Sequence, residues 1–400
     1  MNIIILKRNI FSNYIIIQDL LKFFFFFCFV FFNVMDYFNG YLIIKPYYEM
    51  IKLEEYFRIC NENGLINKTF KKSILPKISI ITPVFNKAKS LFRYLNSIQN
   101  QLFEDLEIIL IDDQSTDDSL NVIEEFKKRD ERIIFIKNKK RRGTLISRQI
   151  GVYKSNSDFL LFVDPDDMIS ENILMHSYSL AKKYNYELVR FNLYIGNYKL
   201  NLDDIVCEIS NKSIFKPNLF LFLFYGFGRL LQLDYYITNK LIKRNLFIKA
   251  LNLIDKFYLN QFMIDCEDGL VNFMLYRLSE SLFFTRKIGY YYIISNQSIT
   301  QDLSRFEKRL KSNFLYFKFI IEVTKNNNIE KNIANYIFYE IYIRRPDIII
   351  NLLKNLSKNS FNKDNELFIK TINLFLQNDF IPLKSKIILK RLKKAILYQI

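Results

Sequence analysis

Between residues 77 and 163, four apolar runs of strand length alternate with three stretches of helical periodicity. KISIITPVF (77–85) is rich in β-branched residues and is broken by Pro83. Residues 89–101 place Leu91, Leu95 and Ile98 on one helical face. LEIILI (106–111) reads as a second strand, closed by Asp112 and Asp113. Ser115, Thr116 and Asp117 then cap a helix that runs to about residue 129. Residues 132–137 form a third strand, Gly143 opens a helix through about 155, and DFLLFV (158–163) is a fourth strand. Strand–helix alternation with short links dictates an α/β fold, a mostly parallel sheet with helices on both faces.

In such sheets ligands bind beyond the carboxyl ends of the strands. Three of the strand ends carry polar groups: Asn86, the pair Asp112 and Asp113, and the turn Asp164-Pro165-Asp166-Asp167. They are expected to converge on one sheet edge. Three carboxylates packed into one turn repel each other unless a cation neutralises them. Oxygen ligands suit Mg²⁺ or Mn²⁺, which also bridge phosphate oxygens. The competing reading is a solvated turn and helix cap, where Asp is common.

The net charge of +17 points to an anionic partner. Five positive residues gather between 137 and 142, and six more between 384 and 394. A phosphate-bearing ligand or a membrane surface accounts for them. With no groove-reading motif and no aromatic-basic platform, nucleic acid is not the expected partner. The four cysteines fit no zinc knuckle, and the single histidine, His176, rules out a His-based metal site or triad. Catalysis must rest on carboxylates, hydroxyls, Lys or Arg.

Four ordered motifs, SIITPVFN (79–86), EIILIDDQSTDDS (107–119), GTLISRQIG (143–151) and FVDPDD (162–167), resemble glycosyltransferase family two. TNKLIKR (238–244), CEDG (266–269) and YYYIISNQSIT (290–300) extend the resemblance across residues 77–300. It implies a GT-A-type fold and an inverting transfer of sugar from a nucleotide-diphosphate sugar, most often a uridine one, to an acceptor hydroxyl. Pro83 and Phe85 would line the base pocket together with Asn86, and Asp113 would hydrogen-bond the base. Arg148 would face the diphosphate. Asp164 and Asp166 would contact the ribose and the metal region, and whether Asp166 or Asp167 is the direct ligand of Mn²⁺ or Mg²⁺ stays open. Glu267 and Asp268 would supply the general base, with Asp268 the choice. A placed carboxylate typically contributes about 10²- to 10⁴-fold. By itself the pair reads more readily as a helix N-cap than as a catalytic base.

Residues 1–35 read as a signal anchor or signal peptide, or as a non-native leader with Met35 as the true start. The first start implies an ER or Golgi membrane protein with a lumenal domain, the second a cytoplasmic one. Residues 36–76 read as a helical stem, 77–300 as the transferase domain, and 301–400 as a helical C-terminal region. Membrane association would run through residues 14–35 or through the basic C-terminal helix, where Ile388, Leu392, Ala395 and Ile396 share a face. The acceptor is expected to be a glycan, a lipid or a protein. The alternative to an enzyme is a GT-A-like domain that binds nucleotide sugar without chemistry.

Overall fold

The computed structural model describes residues 69–196, 205–206, 212–215, 236–258, 267–293 and 306–324, with a few single residues beyond them. The chain divides into two units, Met1–Ile59 and Cys60–Ile400, and every described residue falls in the second. The expected leader (1–35), most of the expected stem and the basic C-terminal helix lie outside the described residues. Residues 69–76, the described end of that stem, contain no helix. Phe70 instead exchanges backbone hydrogen bonds with Arg129 and Glu131, at 3.0 Å each.

The alternation in the first half forms as its periodicity dictates. Strand β1 (Ile78–Val84) leads to helix α1 (Ala88–Gln99), β2 (Leu106–Asp112) to α2 (Ser119–Lys127), β3 (Ile133–Lys137) to α3 (Thr144–Lys154), and α3 to β4 (Phe159–Phe162). All three pairings among these strands are parallel, and the order is β3-β2-β1-β4. Parallel strands covered on both faces are near-continuously apolar, and all seven residues of LEIILID in β2 are buried, with the polar Glu107 and Asp112 hydrogen-bonded to Ser79 and Ser115. On one face Ile80, Ile108 and Leu110 pack with Leu91, Leu95, Ile123 and Phe126 from α1 and α2. Burying each of these side chains contributes about 1.5–3 kcal/mol. On the other face α3 lies so close to the sheet that a Cβ on Gly151 would stand 2.5 Å from Ile81 Cγ2. Only glycine permits that approach.

The second half is mixed. It contains β5 (Met168–Ile169), α4 (Ile173–Tyr184), β6 (Leu188–Gly196), β7 (Ile205–Val206), β8 (Lys212–Phe215), β9 (Lys240–Lys243), α5 (Arg244–Tyr258), α6 (Glu267–Leu278), β10 (Ser281–Ile293) and α7 (Phe306–Thr324). The sheet continues from β4 as β9-β6-β10-β5, with β7 on β6 and β8 on β10. The α/β fold with helices on both faces is therefore present, and antiparallel strands enter only beyond β4. Strand β10 runs unbroken over Ser281–Ile293. Its pairing with β6 shifts register between Thr285 and Tyr290. Gly289 lies in that irregularity, where a Cβ would stand 2.4 Å from Ile173 and 2.5 Å from Phe191. The shift sets Tyr290 and Tyr291 against Ile169 and Met168, directly after the Asp164–Asp167 turn. Among the described residues no helix is long and apolar enough to cross a membrane.

Candidate active site

Parallel register brings the strand ends together. Val84 pairs with Asp112, and Ile81 with Phe162, so the chain leaves β1, β2 and β4 at one edge. The turns there are tight: Asn86 and Gln114 take positive φ, 52° and 70°. Asn and Gln differ in how they tolerate this. Asn is among the few non-glycine residues that visit the left-handed region readily, and Gln is not.

The polar residues predicted at these ends do different jobs. Asn86 accepts a hydrogen bond from the Thr116 backbone N–H at 2.8 Å, so its side chain ties the loop after β1 to the loop after β2. Asp113 is buried and accepts from Asn138 Nδ2 at 2.9 Å and from the backbone N–H groups of Arg142 and Gly143 at 2.8 Å each. It thereby closes the basic loop 138–143. Gly143, at φ 85°, ends that loop and starts α3. The closure sets the Arg141 guanidinium 3.7 Å from the centroid of the Phe85 ring, so the basic run meets one predicted base-pocket residue. Pro83 lies within β1, paired with Ile111.

Arg148, on α3, is buried at the centre of the edge. Its Nη2 donates to Asp164 Oδ1 at 2.9 Å, and its Nη1 donates to Asp268 Oδ1. One guanidinium thus joins the turn after β4 to the first turn of α6. Glu267 also lies in that turn. Burial works to lower the Arg148 pKa, but Asp268, Asp164 and Glu267 outweigh it and hold the guanidinium above its ordinary value. For Asp164, burial raises the pKa, with Asp268 and Asp166 adding to it against the pull of Arg148.

The three aspartates of the 164–167 turn separate by environment. Asp167 is 2% exposed. It accepts from the Tyr290 hydroxyl at 2.6 Å and from the Ile293 backbone N–H at 2.9 Å. Tyr290 in turn accepts from the Asp164 backbone N–H at 3.2 Å. Burial, reinforced by Asp166 and Asp164, pushes the Asp167 carboxyl well above its usual range. Asp167 therefore anchors the turn to β10 and has no free oxygen turned to a ligand. Asp166 stays partly exposed, with Lys87 Nζ at 2.5 Å from its Oδ2 and Arg93 Nη2 donating to its backbone carbonyl at 3.0 Å.

Among the described residues no group of three or more His, Cys, Asp or Glu side chains is gathered to hold a metal by itself. The donor set suits a different mode. Mg²⁺ and Mn²⁺ are commonly held by one or two carboxylates together with phosphate oxygens, and the partly exposed Asp166 fits that mode where the buried Asp167 does not.

Further polar side chains of the domain bond within the scaffold. Lys240 is fully buried, with Nζ on the Tyr236 carbonyl and on Asn239 Oδ1 at 2.8 Å. Arg244 donates to Ser155 Oγ at 2.9 Å. His176 Nε2 lies 2.8 Å from Thr285 Oγ1. Three residues of the edge had no role assigned from the sequence: Lys87, Arg93 and Tyr290, the last quoted only as part of a motif. Lys87 follows Asn86 directly, so a cation at the end of β1 was visible as a partner for carboxylates at the same edge. Nothing in the run Tyr290-Tyr291-Tyr292 marks which ring turns inward.

Residues 79–251 match the family Glycosyl transferase family 2. The chain is 38% identical over 101 residues to a GalNAc(5)-diNAcBac-PP-undecaprenol beta-1,3-glucosyltransferase of Campylobacter jejuni, covering 25% of this chain and 33% of that one. It is 30% identical over 233 residues to the glycosyltransferase GlyA of Streptococcus pneumoniae, covering 56% of this chain and 32% of that one. The chain thus spans about a third of the length of these relatives (33% and 32%). The crystal structure of S. aureus TarS 1–349 in complex with UDP-GlcNAc superposes with a TM-score of 0.58 at 16% identity, covering 81% of this chain and 87% of that one. That likeness shows a shared fold, the GT-A-like architecture the sequence motifs imply.

Proposed function

We propose that this chain, whose residues 79–251 match Glycosyl transferase family 2, is an inverting glycosyltransferase that moves a sugar from a uridine diphosphate sugar to an acceptor hydroxyl on a glycan, a lipid or a protein. The observation that carries the reading is the Asp164–Arg148–Asp268 bridge. It sets a carboxylate from a distant helix beside the strand edge where α/β sheets bind ligands.

In this reading Pro83, Phe85 and Asn86 border the base, and Asp113 shapes the pocket by fixing the loop that lays Arg141 on Phe85. Asp164 reaches the ribose side. Asp268 is the general base: a quarter of its side chain is exposed, 24%, so an acceptor has access to it. Its carboxylate takes the hydroxyl proton as that oxygen bonds to the anomeric carbon. The bond from that carbon to the diphosphate breaks on the opposite face, and the electron pair leaves with uridine diphosphate. Arg148 orients Asp268 for this step. Glu267, in the same helical turn, adds negative charge beside the pair. A divalent cation, Mn²⁺ or Mg²⁺, held by Asp166 and the donor, would stabilise charge on the departing diphosphate.

Turnover of uridine diphosphate sugars with Mn²⁺ tests the assignment. Asp268→Asn is expected to lose about 10²- to 10⁴-fold in transfer while still binding uridine diphosphate. Asp166→Ala is expected to lose metal dependence. Full transfer by both variants would sink the site assignment, and tight nucleotide binding with no turnover for any donor would instead identify a binding protein.

A further inference from the structure

The strand edge supplies a protein partner for each carboxylate of the 164–167 turn and for Asp268. Asp164 and Asp268 share Arg148, and Asp167 is satisfied by Tyr290 and the Ile293 backbone. These partners are buried and fixed. Asp166 is different. Its partner is the ammonium of Lys87 at 2.5 Å, and the two side chains are 24% and 28% exposed. Lysine carries its charge at the end of a flexible four-carbon stem and exchanges partners readily.

The Lys87–Asp166 pair is not needed to build the turn. Arg93 holds the Asp166 carbonyl at 3.0 Å, the Asp167 N–H donates to the Asp164 carbonyl at 3.1 Å, and Tyr290 holds both ends. The backbone of Lys87 is anchored apart from its ammonium, by a hydrogen bond from its N–H to Ser119 Oγ at 2.9 Å. The side chain is therefore free to move while the loop stays in place. Without a cation, three aspartates in one turn would be strongly destabilised, and Lys87 supplies the one positive charge that sits on the carboxylate left open to solvent.

We propose that Lys87 is a built-in counter-cation for Asp166, which a divalent metal must displace to reach that carboxylate. The inference rests on the metal reading of Asp166 above and adds a competitor to it. Metal alone then binds weakly, because each metal–carboxylate contact formed breaks an existing ion pair. Lys87 is a positioning residue in this account, since it acts through Asp166.

The test is Mn²⁺ binding by the full chain, followed through the paramagnetic resonance signal of free Mn²⁺, with and without uridine diphosphate. Lys87→Met is expected to bind Mn²⁺ about fivefold more tightly than the wild type, the order of effect of a partly exposed ion pair. Lys87→Arg, which keeps the charge, is expected to stay within about twofold of wild type. Equal or weaker binding by Lys87→Met overturns the proposal and leaves the metal reading intact. No Mn²⁺ binding by any of the three proteins, even with uridine diphosphate, overturns both. A measurement on the wild type guards against a variant that fails to fold. Amine acetylation read by mass spectrometry is expected to rise at Lys87 relative to the exposed Lys89 when Mn²⁺ is added, and an unchanged or lower ratio overturns the proposal.

Discussion

The two halves of the sheet place their functional groups by different physical means. In the half built from β3, β2, β1 and β4, every pairing is parallel, single crossovers link β1 to β2 and β2 to β3, and parallel register alone aligns Val84 with Asp112. In the other half, partners are far apart in the chain: Phe159 pairs with Lys243, and Leu188 with Leu282. There the alignment of the site depends on side chains, Tyr290 on Asp167 and Arg148 on Asp268. Polar groups at the ends of β1 and β2, Asn86 and Asp113, become loop ties. The groups that keep solvent access, Asp166 and Asp268, are held from a second element by a cation. The regular half supplies the platform and Asp166 at the end of β4, and the irregular half adds Asp268 and the Tyr290 anchor.

Removing the join between the halves should have the largest effect. Arg148→Met leaves Asp164 and Asp268 facing each other with no cation between them. Breaking a fully buried pair costs about 3–5 kcal/mol. Because these carboxylates retain 34% and 24% exposure, the expected loss is discounted to about 2 kcal/mol, with transfer falling with it. Urea unfolding reads the stability change. Unchanged stability would break the comparison, because the β4–β9 pairing would then hold the halves together without help from the side-chain bridge. Arg148→Lys is not expected to restore the wild type, since one ammonium does not span two carboxylates as a planar fork does.

Tyr290→Phe tests the second half alone. It strands Asp167 Oδ2 and the Asp164 N–H, both of which the hydroxyl now satisfies. A buried polar group left without its partner costs about 1–3 kcal/mol, so the melting temperature should fall by a few degrees. Uridine diphosphate binding should weaken with it, because the 164–167 turn loses its tie to β10. A variant with weakened stability and unchanged nucleotide binding would confine Tyr290 to the scaffold.

The same contrast explains what was legible. Residues 77–163 could be read because each strand and helix there has its own period and its own end signal, and parallel topology then dictates that their ends meet. Element bounds came within about two residues, as with 89–101 against Ala88–Gln99. Strands β5, β7 and β9 have two, two and four residues, too short to show a period. β10 could be read as a strand, but its register shift at Gly289, and so the inward turn of Tyr290, depends on packing against Ile173 and Phe191. Among the candidate residues, chemical type was legible and environment was not. Nothing in the run Asp164-Pro165-Asp166-Asp167 distinguishes the anchored Asp167 from the open Asp166, because the difference comes from Tyr290 and Lys87, 123 and 79 residues away.

The smallest effect belongs to His176, which packs α4 against β10 and lies away from the strand edge. Burial first, and Lys287 second, lower its pKa from 6.5 to about 4. The folded state therefore disfavours the charged ring that the unfolded chain accepts below 6.5. The stability this neutral ring contributes is fully present above that value and is lost as pH falls from 6.5 toward about 4. Because the ring is only half-buried, the loss is discounted to about 1 kcal/mol. His176→Gln should flatten that part of the stability profile while leaving uridine diphosphate binding unchanged. As the chain's only histidine, its ring resonances can be titrated without assignment. A midpoint near 6.5 would mean that α4 and β10 leave the ring open to water, and the packing that turns Tyr290 toward Asp167 would be looser than the Ile173–Gly289 approach requires.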